Sequence, residues 1–316
     1  MEFPSELREK IKSLAERENR AELIAAAERL SENYRNENCD GKISAASKLD
    51  VLAYSAVRMP ATFASVSRAL ELSLGCFGGE IGSVLDAGAG TGAGAVAAAM
   101  LLDSPKIVCL EREKNMIELG AGFLECAGIS AEWVLGDIGE KLPEKADLVI
   151  CSYCLNELSE KQREAALLRL SDAAEKLLVI VEPGTPNSFS AVRKMRGRLL
   201  EEGWKIAAPC TSDGECVHDW CHFTARVARS ELHRQLKRAD ASYEDEKFCF
   251  LALVREVPRK NGARILRHPI IESGKITLEL CVEGGVSSTL ITRKNPLFKT
   301  ARKAKTGDMF PLTKEN

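Results

Sequence analysis

The chain has 316 residues, 45% of them hydrophobic and 28% charged, and a net charge of −2. That length allows two domains or one elaborated one, and the balance is ordinary for a soluble globular protein. The opening "MEFPSELREKIKSLAERENR" mixes acids and bases where an export signal would carry its apolar run, and "AGAGTGAGAVAAAMLL" is mostly Gly and Ala, so neither secretion nor a membrane span is expected.

The eleven cysteines are odd in number and scattered, which suits reduced thiols and leads to the expectation of a cytoplasmic protein. The net charge conceals an asymmetry. From Pro258 to Asn316 there are twelve Lys or Arg against five Asp or Glu, a net of +7, which leaves −9 for the remainder. Such a block is either a solvated surface or a phosphate-binding one.

Residues 1–75 read as helical. "ELREKIKSLAERENRAELIAAAERLSENYR" places apolar residues three and four apart, and a second stretch from about Lys48 is interrupted at Met59-Pro60, where proline bends or restarts a helix. From Ile81 the pattern becomes strand, glycine turn, helix, strand. "SVLDAGAG", "KIVCLERE", "SAEWVLGDI", "ADLVICSYCLNEL" and "KLLVIVEPG" are apolar strands separated by helical segments. That alternation predicts an α/β fold with a doubly wound, mostly parallel sheet. "WKIAAPC" and "KFCFLALVRE" read as further strands, and a Cys-rich stretch, residues 207–223, lies between them as an insertion. "GKITLELCVEGG" and "VSSTLITRK" make a β-rich extension. The expected division is therefore 1–75, 76–257 and 258–316.

The glycine loop "VLDAGAGTGAGA" sets Asp86 two residues before Gly88, with Gly90 and Thr91 following. It can be aligned with a dinucleotide fingerprint, but a carboxylate at the strand's mouth would repel a pyrophosphate. It suits S-adenosylmethionine, which carries an ammonium and a sulfonium and whose carboxylate can rest on a helix N-terminus. Glu111 closes the second strand, placed for the ribose hydroxyls. Asp137 follows the third strand, placed for the adenine amino group with Ile138 beside the ring. The fold expected is that of a class I S-adenosylmethionine-dependent methyltransferase. The methyl acceptor is less legible: after the fourth strand stands "CSYCLNEL", with no Asn/Asp-Pro-Pro-aromatic segment. Asn156 and Cys151 are the catalytic candidates, and Asn156 and Glu157 serve equally well as helix caps.

Cys210, Cys216 and Cys221 follow a C-x5-C-x4-C spacing within "APCTSDGECVHDWCHF". The spacing matches neither a zinc ribbon nor a ferredoxin run. A metal cage competes with scattered structural thiols, and His218, His222, Cys249 and Cys281 compete as fourth ligand. Pro209-Cys210 is similar to the nucleophile of cytosine-C5 methyltransferases, but it follows the sixth strand, where that nucleophile follows the fourth.

"RMPATF", "EPGTP", "DWCHF", "RVARSELHRQLK", "YEDEKFCFLAL" and "ARKAKTGD" together resemble the methyltransferase-like proteins associated with the small ribosomal subunit, known from mitochondria, bacteria and archaea. The likeness runs from about Leu52 to Phe310. It implies an S-adenosylmethionine-binding assembly factor that contacts small-subunit rRNA and proteins, monomeric off the ribosome, with an active RNA methyltransferase as the alternative. It also implies a [4Fe–4S] cluster on Cys210, Cys216, Cys221 and Cys281, with zinc as the alternative metal. Cys249 then reads as a core strand residue, and His218 and His222 as neighbours of the cluster or RNA-facing groups. The family's first block often reads Cys-Pro-His, whereas Thr211-Ser212 follows Cys210 here. Arg293, Lys294, Lys299, Arg302, Lys303 and Lys305, with no acid among them, are the expected phosphate contacts.

Overall fold

A computed structural model describes residues 1–35, 47–260 and 262–312. The helical opening is two helices rather than one, α1 (Ser5–Ala15) and α2 (Arg20–Arg35). Asn19 separates them, because its Oδ1 accepts the N–H groups of Ala21 (2.9 Å) and Glu22 (3.3 Å) and starts a new helix. The helix α3 (Lys48–Val57) opens on a reciprocal cap between Ser47 and Asp50. Pro60 restarts the chain as expected, near the N-terminus of α4 (Met59–Phe77), where a missing N–H costs nothing.

The core unit then alternates: β1 (Ser83–Ala87), α5 (Ala93–Leu101), β2 (Lys106–Glu111), α6 (Lys114–Cys126), β3 (Glu132–Leu135), β4 (Ala146–Ser152), a short 3-10 turn (Leu155–Glu157), α7 (Glu160–Ala173), β5 (Ala174–Pro183) and α8 (Pro186–Glu201). It finishes with β6 (Lys205–Ala208), β7 (Phe223–Ala228), α9 (Glu231–Lys237) and β8 (Tyr243–Val254). The sheet order is β3-β2-β1-β4-β5-β8-β6, with β7 on the first half of β8. Strands β1 to β5 are parallel, and β8 enters antiparallel to β5. This is the class I methyltransferase arrangement expected from the alternation. β1, β4 and β5 are nearly continuous apolar runs because helices cover both faces.

A second, antiparallel sheet contains β9 (Ala263–Ile265), β10 (Ile270–Glu272), β11 (Lys275–Val282), β12 (Gly285–Thr292) and β13 (Met309–Phe310), with α10 (Phe298–Lys303) packed on it. Its own small core is built from Ile265, Ile276, Leu278, Leu280, Ile291, Ala301 and Phe310. No described helix is long and apolar enough to cross a membrane.

Candidate functional site

β1 runs into Gly88, Gly90 and Gly92, whose φ values are +77°, +56° and +88°. At Gly88 a Cβ would also strike the Cys154 sulfur, so both the backbone and the space require glycine. A cavity of about 120 Å³ opens above this turn. It lies where the chain order reverses between β1 and β4, the usual ligand crevice of an open α/β sheet. Five of the seven residues expected to hold the cofactor line it: Gly88, Gly90, Glu111, Asp137 and Ile138.

Glu111 is nearly buried, its Oε2 accepting the Gly90 N–H (2.8 Å) and its Oε1 the Glu113 N–H (2.9 Å). Burial raises its pKa against these hydrogen bonds. Asp137 is more open; its Oδ1 accepts the Gly139 N–H (2.6 Å) and its Oδ2 lies 3.7 Å from Arg112 Nη1.

Asp86 and Thr91 do not line the cavity. Asp86 is fully buried behind the turn, where its Oδ2 accepts the Ala95 N–H in the first turn of α5 (2.8 Å) and its Oδ1 has no partner among the described residues. Burial, opposed by that hydrogen bond and assisted by nearby Glu111, pushes its pKa up to about 7. It therefore shapes the loop from below. Thr91 is equally buried, and its Oγ1 has no partner among the described residues. In exchange the cavity gains Tyr54 from α3, Met116 from α6, and Tyr153 and Cys154 after β4. Tyr54 is remote in sequence, and nothing local marks it; burial pushes its hydroxyl to about 12.

Neither catalytic candidate reaches the cavity. Cys151 points into the core from β4, 0% exposed, and Asn156 is exposed on the 3-10 turn. Strand alternation explains the first: Ser152 faces the cavity, so its neighbour Cys151 faces the opposite side. Glu182 explains the second, because its fully buried carboxylate takes the Leu155 N–H (3.0 Å) and also bonds the Asn156 backbone, fixing the turn. Burial pushes Glu182 up to about 8. Tyr153, at φ +56°, sets its hydroxyl 3.0 Å from Ser65 Oγ and 3.1 Å from Glu246 Oε1, and Arg58 bonds Glu246 through both Nη atoms. "RMPATF" and "YEDEKF" meet at this network.

The thiols form a second site. Cys210, Cys216, Cys221 and Cys281 line one predominantly apolar cavity of about 40 Å³, although Cys281 is 60 residues further along the chain than Cys221. The first three stand on the loop after β6 and the fourth on β11, where it pairs with Val286 of β12 and Arg264 of β9. Burial raises the Cys210 and Cys221 thiols, and the other thiols of the group raise both further. Such thiols stay protonated unless a cationic centre compensates them. Arg196 of α8 reaches the same cavity, and its guanidinium bonds the carbonyls of Ser212 (3.2 Å) and Gly214.

Among the described residues, no three His, Cys, Asp or Glu side chains converge closely enough for a single ion. A tetrahedral zinc needs each sulfur about 2.3 Å from the metal, so the zinc alternative lacks its cage here. Cys249 is a core strand residue as expected, 2% exposed, its sulfur donating to Pro183 O at 3.2 Å, though it also touches the thiol cavity. His218 lines that cavity with a buried Nε2 that has no partner among the described residues, and burial, followed by Arg267, lowers its pKa. His222 does not; it stacks on Trp220 with centroids 4.1 Å apart, and burial depresses it to about 4. Trp220 in turn donates to Gly184 O (3.1 Å), tying "DWCHF" to "EPGTP".

Arg264 couples the two sheets. Its buried guanidinium donates to Pro209 O (2.9 Å), beside Cys210, and to Gly307 O (2.8 Å). Beyond β12, Arg293, Lys294, Lys299, Arg302, Lys303 and Lys305 are all exposed. Asp308 pairs with Arg68 (2.8 Å) and accepts the Lys305 backbone N–H (2.9 Å), and among the described residues none of the six side-chain cations has a carboxylate partner.

A family model described as "Rsm22: Mitochondrial small ribosomal subunit Rsm22" matches residues 48–311. Two curated relatives, the mitochondrial Rsm22-cox11 tandem proteins 1 and 2 of Schizosaccharomyces pombe, are each 24% identical over 83% of this chain. The chain spans 43% of their length. Similar solved structures include the magnesium protoporphyrin IX methyltransferase ChlM of Synechocystis PCC 6803 with bound SAH (16% identity, TM-score 0.43, covering 71% of this chain and 93% of that one). Another is the N-methyltransferase NodS of Bradyrhizobium japonicum WM9 in complex with S-adenosyl-L-homocysteine (14%, TM-score 0.40, 60% and 84%). The cytoplasmic location expected from the sequence is corrected by these matches: the family model is of a mitochondrial ribosomal subunit, and both curated relatives are mitochondrial by name. Scattered reduced thiols do not distinguish the cytoplasm from another reducing compartment.

Proposed function

The chain belongs to the Rsm22 family of the mitochondrial small ribosomal subunit, and on that footing we propose that it is an S-adenosylmethionine-binding, iron–sulfur protein that acts in small-subunit assembly or translation by binding rRNA. The observation that carries this reading is the convergence of Cys210, Cys216, Cys221 and Cys281 on one cavity, with the acid-free basic segment following β12. The donor set fits a cluster: four thiols in an apolar wall, with Arg196 beside them to offset negative charge. An iron–sulfur core is wider than one ion, since sulfides stand between its irons, so its thiolates need not converge as a zinc cage would. Bound there, it would supply a covalent link between the loop after β6 and β11. Redox capacity would come with it.

The cavity above Gly88 fits the cofactor by the same test. Gly88 and Gly90 leave room for close backbone approach, Glu111 offers a carboxylate to the ribose, and Asp137 with Ile138 offers an acceptor and an apolar wall to adenine. The six cations would neutralise phosphates of the RNA backbone.

Co-sedimentation with small-subunit particles tests the reading. Neutralising the six cations to Gln is expected to weaken binding and to flatten its salt dependence by a slope of up to about 4 to 5. Unchanged binding and slope would remove the RNA role. A second reading, RNA methyl transfer, is favoured by the intact cofactor cavity. It predicts that labelled methyl groups enter small-subunit rRNA and that Gly88→Arg abolishes the incorporation.

A further inference from the structure

β12 is an edge strand. It pairs with β11 along its whole length without a register shift, from Lys275↔Thr292 to Val282↔Gly285, and its other side has no partner among the described residues. Exposed edges in folded proteins are ordinarily short, charged, bulged or proline-bearing, because a free row of N–H and C=O groups recruits another strand. The other sheet edges obey this: β3 has four residues, β6 four and β10 three, while β7 carries Arg226. β12 does not. Its eight residues, "GVSSTLIT", contain no charge and no proline.

The direction of the free groups follows from the hairpin. Val282 and Gly285 flank a two-residue turn and so exchange hydrogen bonds with each other, which assigns alternate positions 285, 287, 289 and 291 to β11. The Arg293 N–H, next in that series, donates to Gly274 O at 3.1 Å, as the alternation requires. The main-chain groups of Val286, Ser288 and Leu290 therefore face the open edge. Their side chains share the exposed face, Val286 at 47% and Leu290 at 56%.

The pattern is symmetric about Ser288. Val286 and Leu290 stand two residues to either side, and Glu283 and Arg293 five residues to either side. An antiparallel pairing of β12 with another β12, centred on Ser288, would put Val286 opposite Leu290 twice and bring Glu283 toward Arg293 at both ends. Ser288 would meet its own copy on the two-fold axis. Alternation of backbone direction and of side-chain face are both satisfied by this one register. We propose that the occupant of the β12 edge is a second copy of this chain, joined strand to strand into a ten-stranded antiparallel sheet. This departs from the monomer expected from the sequence, and it does not depend on the thiol or cofactor sites.

Sedimentation velocity of the full chain over a range of concentrations tests it. The wild type should show a monomer–dimer equilibrium. Ser288→Lys, which sets two ammonium groups face to face on the axis without touching the monomer's core, should weaken dimerisation roughly tenfold or more while leaving the thermal midpoint unchanged. Glu283→Arg and Arg293→Glu should each weaken it, and the double exchange should restore it. A wild type that stays monomeric throughout would overturn the proposal, as would a dimer indifferent to Ser288→Lys and to the charge exchanges. Protection of β12 amides only on adding ribosomal particles would hand the edge to a foreign strand and would equally overturn it.

Discussion

Asp86 and Glu111 show what a residue's position in sequence does and does not disclose. Both sit at strand ends, Asp86 just before the glycine turn, and that local pattern is enough to place a cavity. Glu111 lines it. Asp86 does not, because the α5 N-terminus turns back over it and takes its carboxylate, a packing detail that strand spacing does not encode. A cationic ligand nearby favours the ionised forms of both acids, so binding is linked to proton release. With Asp86 at about 7, S-adenosylmethionine affinity should rise severalfold from pH 6 to pH 8 and level off above, as calorimetry would register. Asp86→Asn should flatten that profile; an unaltered profile would disconnect Asp86 from the site. At Gly88, substitution by Val adds strain at φ +77° and a collision with Cys154. It should lower stability by about 2 kcal/mol and cost most of the cofactor affinity, measured by denaturant unfolding and titration. The acceptor side was least legible: Cys151 and Asn156 were credible from sequence, yet β-strand alternation and the Glu182 tether carry both away from the cavity.

Among the elements, the parallel strands were readable because burial on both faces leaves nearly unbroken apolar runs. β7, β9, β10 and β13 were not, being short or polar, and dependent on partners distant in the chain. The blocks that carry the family likeness are mostly bonds between elements. Arg58 reaches Glu246, and Trp220 reaches Gly184. Gly184 itself has no room for a Cβ, which would fall 2.7 Å from the Lys247 carbonyl carbon. Arg264 belongs with them, although no motif singled it out. Replacing it with Leu leaves the carbonyls of Pro209 and Gly307 without their donor inside the protein. Arg264→Leu should destabilise by about 3 kcal/mol and should speed amide exchange in β9, β11 and β13 more than in β1 to β5. Equal acceleration in both sheets would show that the guanidinium is not a local tie.

For the whole molecule, the thiol cavity is lined from both sheets. Three of its cysteines come from the methyltransferase-like unit and the fourth from the antiparallel sheet, so a centre bound by all four would fix the basic segment's platform against the cofactor unit. The first three thiols were visible as a cluster of letters. The fourth came only from the family likeness, since no spacing rule links Cys281 to a loop 60 residues upstream. Apolar burial keeps such thiols protonated, and a cationic centre bound among them would favour the thiolate forms. Iron and acid-labile sulfide analysis of the anaerobically purified chain, compared with Cys281→Ser, tests this most directly. The account predicts about four of each per wild-type chain and loss of most of both in the variant; wild-type protein carrying neither, or carrying zinc instead, would contradict it.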